Sequence, residues 1–262
     1  MTIWNGAPAT LEQLEHIASS SYGCYTFFQV RDRQVRGLHL HLARLIANAQ
    51  ELFGEAPTTE LLLTHISAAV ASDKPCSVRV TLIGPDHQTV LSGQPLTPDV
   101  AITVLPPRDE HPPAISVRSA HYQRETPHVK HLGTHGLVRE TRAARQAGYD
   151  DALLIDAHGR ISEGTTWNLL VHEGSGWVWP EAPMLAGVTA ALLRRAMDDH
   201  SIGHRTAPLL AADLDERTAA FALNSSAHRP IRAIDGRALS AGDGPRGQLD
   251  ELWESVKPEP LA

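Results

Sequence analysis

Apolar and polar positions along the first hundred residues follow two periods. Cys24-Tyr25-Thr26-Phe27-Phe28-Gln29-Val30 is rich in aromatic and β-branched side chains. The polar turn Arg31-Asp32-Arg33 follows, then Val35, which reads as a strand entering a hairpin. The period then changes: Leu38, Leu42, Leu45, Ile46, Ala49, Leu52 and Phe53 recur at helical spacing until Gly54. This predicts an amphipathic helix of about four turns. A second helix is expected over Thr59–Ala71, with Leu62, Ile66 and Ala69 on one side, and strands over Ser77–Ile83 and Val100–Leu105. Pro106, Pro107, Pro112 and Pro113 then break every period, so the stretch reads as a linker or a long surface loop.

Beyond the prolines the pattern predicts a strand over Ile115–Ala120, a helix over Gly136–Gln146 and a short buried strand at Ala152–Asp156. Ala157-His158-Gly159-Arg160 turns the chain back toward Ile161-Ser162-Glu163-Gly164, and Asn168–Val171 with Trp177–Trp179 flank a Gly-Ser-Gly turn as a second hairpin. A helix over Val188–Met197 and a buried strand at Phe221–Leu223 complete the reading. Strands and helices mix without regular βαβ alternation, which favours an α+β fold. The expected division is an N-terminal domain over 1–107, a linker over 108–127 and a C-terminal domain over 128–262.

Composition narrows the function classes. The 262 residues carry a formal charge of −7, and no arginine–lysine run supplies an electrostatic footprint for nucleic acid or anionic lipid. Cys24 and Cys76 are too few for a disulfide framework and fit no zinc motif. The amino terminus lacks the pattern of a signal peptide, and no apolar run approaches the ~20 residues of a membrane span. A soluble cytoplasmic protein is expected. Fifteen histidines raise the question of a metal site. His39 and His41 have strand spacing at the start of a helix, and Pro127 and Gly133 keep His128, His131 and His135 off one helical face, so no metal is expected.

Lysine is scarce, occurring only at positions 74, 130 and 257. Lys74 lies in a polar turn before Pro75 and Lys257 in a tail before Pro258, whereas Lys130 lies between an extended stretch and a helix. An amine there can act as a nucleophile toward an aldehyde, or be an ordinary half-exposed lysine. Ile161–Asn168 fixes Glu163 beside a glycine, followed by hydroxyls, Trp167 and an amide. This suits either a hairpin end or a carboxylate facing a basic ring nitrogen. Gly187-Val188-Thr189 at a helix start and Asn224-Ser225-Ser226 after a buried strand are small polar loops able to receive a phosphate, or simply caps and turns. Arg44, between apolar helix positions, either snorkels or offers a bidentate fork.

In this order, Arg44 in His-x-x-Arg-Leu, Lys130, Glu163-Gly with Asn168, Gly187-Val188-Thr189 and Asn224-Ser225 resemble the class IV aminotransferases. The resemblance runs from about Tyr22 to Arg237 and includes Gly148–Leu153, Pro230-Ile231 and Ile234-Asp235-Gly236. Gly23–Thr26, Val30–Asp32 and Val129–Leu132 lean toward the aminodeoxychorismate lyase and D-amino-acid transaminase branch. Thr134-His135 departs from the Asn-Tyr pair of the branched-chain enzymes. The implied fold is the two-domain fold-type IV architecture, with a small N-terminal α/β domain and a larger C-terminal mixed domain. The implied cofactor is pyridoxal 5′-phosphate, and the implied assembly is a homodimer. By the same resemblance Lys130 forms the internal aldimine and acts as general base and acid, and Glu163 pairs with the pyridine nitrogen. Arg44, Gly187, Val188, Thr189, Ser225 and Ser226 hold the phosphate, and Thr26, Thr165, Thr166 and Trp167 contact substrate. The expected reaction transfers an amino group between a small amino acid or amine and a 2-oxo acid. Elimination of pyruvate and 4-aminobenzoate from aminodeoxychorismate is the alternative, and a histidine metal protein a remote one.

Overall fold

A computed structural model describes residues 2–174 and 176–261. The chain divides into two compact units, the first formed by Met1–Arg108, Val129–Gly133 and Pro258–Ala262, the second by Asp109–His128 and Thr134–Lys257.

The first unit contains β1 (Thr2–Trp4), β2 (Ala7–Pro8), α1 (Leu11–Ser19), β3 (Gly23–Val30), β4 (Gln34–Val35), α2 (Leu38–Phe53), α3 (Thr59–Ala69), β5 (Cys76–Ile83), α4 (His87–Leu91) and β6 (Asp99–Leu105). Its five-stranded antiparallel sheet has the order β2-β1-β6-β5-β3. Period-two alternation sends Cys24, Phe28 and Val30 of β3, with Val78, Val80 and Leu82 of β5, into one apolar core. Leu38, Leu42, Leu45, Ala49 and Phe53 of α2 and Leu62, Ile66 and Ala69 of α3 close that core. Gly54 ends α2 at φ 77°, in the left-handed cap that glycine adopts without strain.

The second unit contains β7 (Ile115–His121), α5 (His135–Gln146), β8 (Asp151–Ile155), β9 (Ile161–Gly164), β10 (Asn168–Glu173), β11 (Gly176–Pro180) and α6 (Val188–Asp199). It continues with β12 (His204–Ala207), β13 (Thr218–Leu223), β14 (His228–Ile234), β15 (Arg237–Ala238) and α7 (Asp243–Ser255). Its nine-stranded sheet runs β12-β11-β10-β13-β14-β7-β8-β9, with β15 on β14, and mixes parallel with antiparallel pairs. The fold is α+β, as the mixed pattern predicts. The turn expected between β10 and β11 includes Ser175, which lies outside the described residues.

Two expectations about the domains change. The stretch 108–127, read as a linker, holds β7, which pairs in parallel with β14 on one side and β8 on the other. Its Ile115 and Val117 are buried, so only the proline-rich approach to it is irregular. Val129–Gly133 and the final strand β16 (Glu259–Pro260), assigned by sequence to the C-terminal domain, pack with the first unit instead. β16 pairs with β4, and Leu261 enters the first core.

Candidate active site

Lys130 sits on a short extended segment laid beside β3. Tyr25 donates its backbone N–H to the Lys130 carbonyl at 2.9 Å, Leu132 donates to Gly23 at 2.9 Å, and Cys24 and His131 form an antiparallel bridge. The Lys130 N–H donates to Oδ1 of Asn48 on α2 at 2.9 Å. The backbone of this lysine is thus held on both sides. Its Nζ lies 4.8 Å from the centroid of the Tyr25 ring, and the guanidinium carbon of Arg79 lies 4.1 Å from the same ring. Lys74 and Lys257 are exposed.

On the core side of β3, Thr26 has no exposed surface and would be a costly polar intrusion were its hydroxyl not engaged. Arg44 donates from Nη2 to Thr26 Oγ1 at 3.3 Å, and Oγ1 lies 2.7 Å from Nδ1 of His41. His41 is buried, and its pKa is well below the usual histidine value. Desolvation is the main cause, followed by the positive charges of Arg44 and Lys130. A neutral imidazole accepting at Nδ1 completes a consistent chain: Arg44 donates to Thr26, and Thr26 donates to His41. His41, Arg44 and Asn48 are spaced by three and four residues, so α2 carries a polar stripe along one face.

In the second unit Glu163, at the end of β9, is buried. Its Oε2 accepts the Leu185 N–H at 3.3 Å, and Nη1 of buried Arg124 stands 3.7 Å from Oε1. Asn168 begins β10 opposite Leu223, the last residue of β13, so the Asn224-Ser225-Ser226 loop leaves the sheet beside it. Asn168 Nδ2 donates to the Leu185 carbonyl at 2.9 Å, joining the start of β10 to the segment that leads into α6. A Cβ on Gly187 would stand 1.9 Å from Asn168 Oδ1, so only glycine allows this approach. α6 has no acidic residue in its first turn and no side-chain cap, which suits its N–H groups to an anion. Asn224 Oδ1 accepts the N–H of Ser226 at 2.9 Å, and among the described residues the Ser225 and Ser226 hydroxyls have no hydrogen-bond partner.

The residues expected to touch substrate fall differently. Thr165 and Trp167 are buried, and both donate to Asp151, from Oγ1 at 2.7 Å and Nε1 at 2.9 Å. Thr141 of α5 donates to the same carboxylate oxygen as Thr165, at 2.9 Å. Thr26 is consumed by Arg44 and His41, which leaves Thr166 as the exposed member of the four. Sequence reasoning missed Tyr25, Arg79, His41, Asn48, Arg124 and Asp151. The pairing of His41 and Asn48 with Arg44 at helical spacing was the one available signal.

The free thiol of buried Cys24 is pushed up to about 12 by desolvation, so it stays protonated and inert. Among the described residues no group of three or more His, Cys, Asp or Glu side chains is arranged to hold a metal ion. No helix among them is long and apolar enough to cross a membrane.

The family profile described as amino-transferase class IV matches residues 23–234, and the chain belongs to this family of pyridoxal-phosphate enzymes. Among solved structures, the chain is similar to the branched-chain aminotransferase of Thermoproteus uzoniensis with norvaline, at 19% identity and a TM-score of 0.86, covering 100% of this chain and 99% of that one. It is similar to the Escherichia coli branched-chain aminotransferase at 17% identity and a TM-score of 0.83, with 99% and 98% covered. A hypothetical aminotransferase from Mycobacterium tuberculosis in its pyridoxal-phosphate-bound form matches at 15% identity and a TM-score of 0.79, with 98% of each chain covered. At such identities these likenesses carry the fold. A search of curated protein sequences gives no match.

Proposed function

We propose that this aminotransferase moves an amino group between a small amino acid or amine and a 2-oxo acid, using pyridoxal 5′-phosphate attached to Lys130. The observation that carries the assignment to Lys130 is its anchoring. It has backbone bonds to Tyr25 and Asn48, while the other lysines lie exposed. The donor set fits the cofactor group by group. An amine suits its aldehyde, the buried carboxylate of Glu163 suits its ring nitrogen, and Arg44, the α6 N-terminus and two serine hydroxyls suit its phosphate.

When bound, pyridoxal phosphate supplies an electron sink for the bond broken at the substrate's α-carbon. The chain supplies the rest. Lys130 would take the proton from that carbon as base and, as acid, deliver it to the carbon on the cofactor side of the shared nitrogen, the shift that amino transfer requires. Glu163 stays ionised against the ring nitrogen, which keeps the proton there. Arg44, whose guanidinium is bonded to Thr26, would bind the phosphate, and Gly187, Val188, Thr189, Ser225 and Ser226 would supply further donors to it. Thr165 and Trp167 brace the turn after Glu163 through Asp151, and Thr166 is the member of that turn left to meet substrate.

Borohydride reduction followed by peptide mapping should recover the cofactor on Lys130. Lys130→Ala should lose amino transfer by at least about 10²–10⁴-fold, the usual worth of a positioned acid–base group. Retained activity in that variant, or label on Lys74 or Lys257, would overturn the proposal. Product analysis with D- and L-amino donors and with aminodeoxychorismate separates amino transfer from the lyase outcome.

A further inference from the structure

Arg124 has no role in the reading above, yet it is among the most deeply buried charges described. Its side chain is 6% exposed and that of Glu163 is 7% exposed, with Nη1 standing 3.7 Å from Oε1. At that separation the guanidinium acts on the carboxylate as a fixed charge, beyond hydrogen-bond length. Its Nη1 donates to the Pro127 carbonyl at 3.2 Å, which anchors the cation to its own chain segment. On the other oxygen, Glu163 accepts the neutral Leu185 N–H. A guanidinium does not lose its proton at any working pH, so this charge is permanent.

We propose that Arg124 is a positioning residue that holds Glu163 as a carboxylate and thereby decides where the proton shared with the cofactor's ring nitrogen resides. The proposal rests on the reading that Glu163 faces that nitrogen. One proton is shared between carboxylate and pyridine, and there are two places to put it. With the proton on the ring, Glu163 is negative beside a positive guanidinium. With the proton on Glu163, the attraction between the two buried charges is lost, which makes that the less favourable state. Low exposure on both side chains limits water's screening of this preference. The cation therefore favours the protonated ring, the stronger electron sink. Were Arg124 merely a structural ion pair, its loss would cost stability and leave the ring proton in place.

The test is the nitrogen-15 resonance of enzyme loaded with ring-labelled pyridoxal phosphate, comparing the unsubstituted protein with Arg124→Met, Arg124→Lys and Glu163→Gln. The unsubstituted protein and Arg124→Lys should show the upfield resonance of a pyridinium. Arg124→Met should move downfield toward an unprotonated pyridine, with kcat reduced and KM for the amino donor little changed. Arg124→Gln provides the same comparison should Arg124→Met fail to fold. Glu163→Gln should give the full downfield shift. An Arg124→Met or Arg124→Gln resonance at the unsubstituted position, alongside a shifted Glu163→Gln, overturns the proposal and leaves the role of Glu163 standing. An unshifted Glu163→Gln overturns the reading of Glu163 itself.

Discussion

At the scale of single residues, His41 shows how a buried polar group is tolerated beside two cations. Burial, Arg44 and Lys130 all disfavour its charged form and hold its pKa well below 6.5. In the unfolded chain the same ring takes a proton near pH 6.5, so below that pH the unfolded state binds more protons than the folded one. Stability is therefore lost as pH falls through 6.5, at a limiting slope of about 1.4 kcal/mol per pH unit. Urea unfolding at pH 7.5 and 5.5 should show a smaller drop for His41→Gln than for the unsubstituted protein. Parallel drops would mean that His41 titrates alike in both states. The same residues mark what could be read before the structure. Lys130, Glu163 and Arg44 stand out in sequence because their types and order match a family of known chemistry. Arg124 and Asp151 do not, because their roles depend on carboxylate and guanidinium distances across strands far apart in the chain. Thr26, Thr165 and Trp167 look like ligand contacts by type. Only their committed hydroxyls and indole N–H move them behind the residues they serve.

At the scale of elements, the turn between β9 and β10 is tightened by one close contact. A Cβ on Gly164 would meet the Trp167 ring at 1.9 Å, and Gly164 donates its N–H to the Trp167 carbonyl at 2.7 Å. Gly164→Ala must push aside an indole that is buried and tied to Asp151, so the strain cannot be relieved by a flexible tip. It should cost about 1–3 kcal/mol by overpacking. It should also displace Glu163, the preceding residue, so cofactor affinity should fall together with the thermal midpoint. An unchanged dissociation constant for pyridoxal phosphate would separate the turn from the carboxylate. Elements with a continuous apolar stripe, such as β3, α2 and β5, are evident from periodicity, since their own side chains build the core. α1 was not, because it buries none of its residues and leaves Leu11 and Leu14 exposed. α7 opens on Asp243-Gly244-Pro245 and buries only Leu249 and Leu252, so glycine and proline hide a helix whose first turn tolerates both. The two-residue strands β2, β4, β15 and β16 exist through their partners and carry no period of their own.

At the scale of the whole molecule, the chain passes repeatedly between its two units, and the segments that return to the first are short. Val129–Gly133 brings Lys130 to the edge of β3, and Pro258–Ala262 brings β16 to β4. Neither segment contains enough apolar residues to announce its destination, which is why sequence reading left both with the C-terminal part. The second return has a measurable weight. Leu261 is 5% exposed within the first core, and its N–H donates to the Arg33 carbonyl at 2.8 Å. Glu259 receives both the backbone N–H of His39 at 3.1 Å and Nδ1 of the same residue at 2.7 Å, next to the first turn of α2. This carboxylate also favours the positive end of the α2 dipole, and α2 lacks an acidic first turn of its own. Leu261→Ala should therefore cost ~2–5 kcal/mol, the range for emptying a buried leucine site. Deleting 258–262 should cost more, since it removes the strand pairing and the Glu259 contacts as well. Because α2 carries His41, Arg44 and Asn48, the damage should reach cofactor affinity through Arg44, the arginine proposed to bind phosphate. Hydrogen exchange followed by mass spectrometry should show protection lost in β4 and the first turns of α2, with the strands β10, β13 and β14 retaining theirs. Uniform loss across both units would mean that they unfold as one cooperative body, and that the carboxyl-terminal strand is a fastening for the entire molecule.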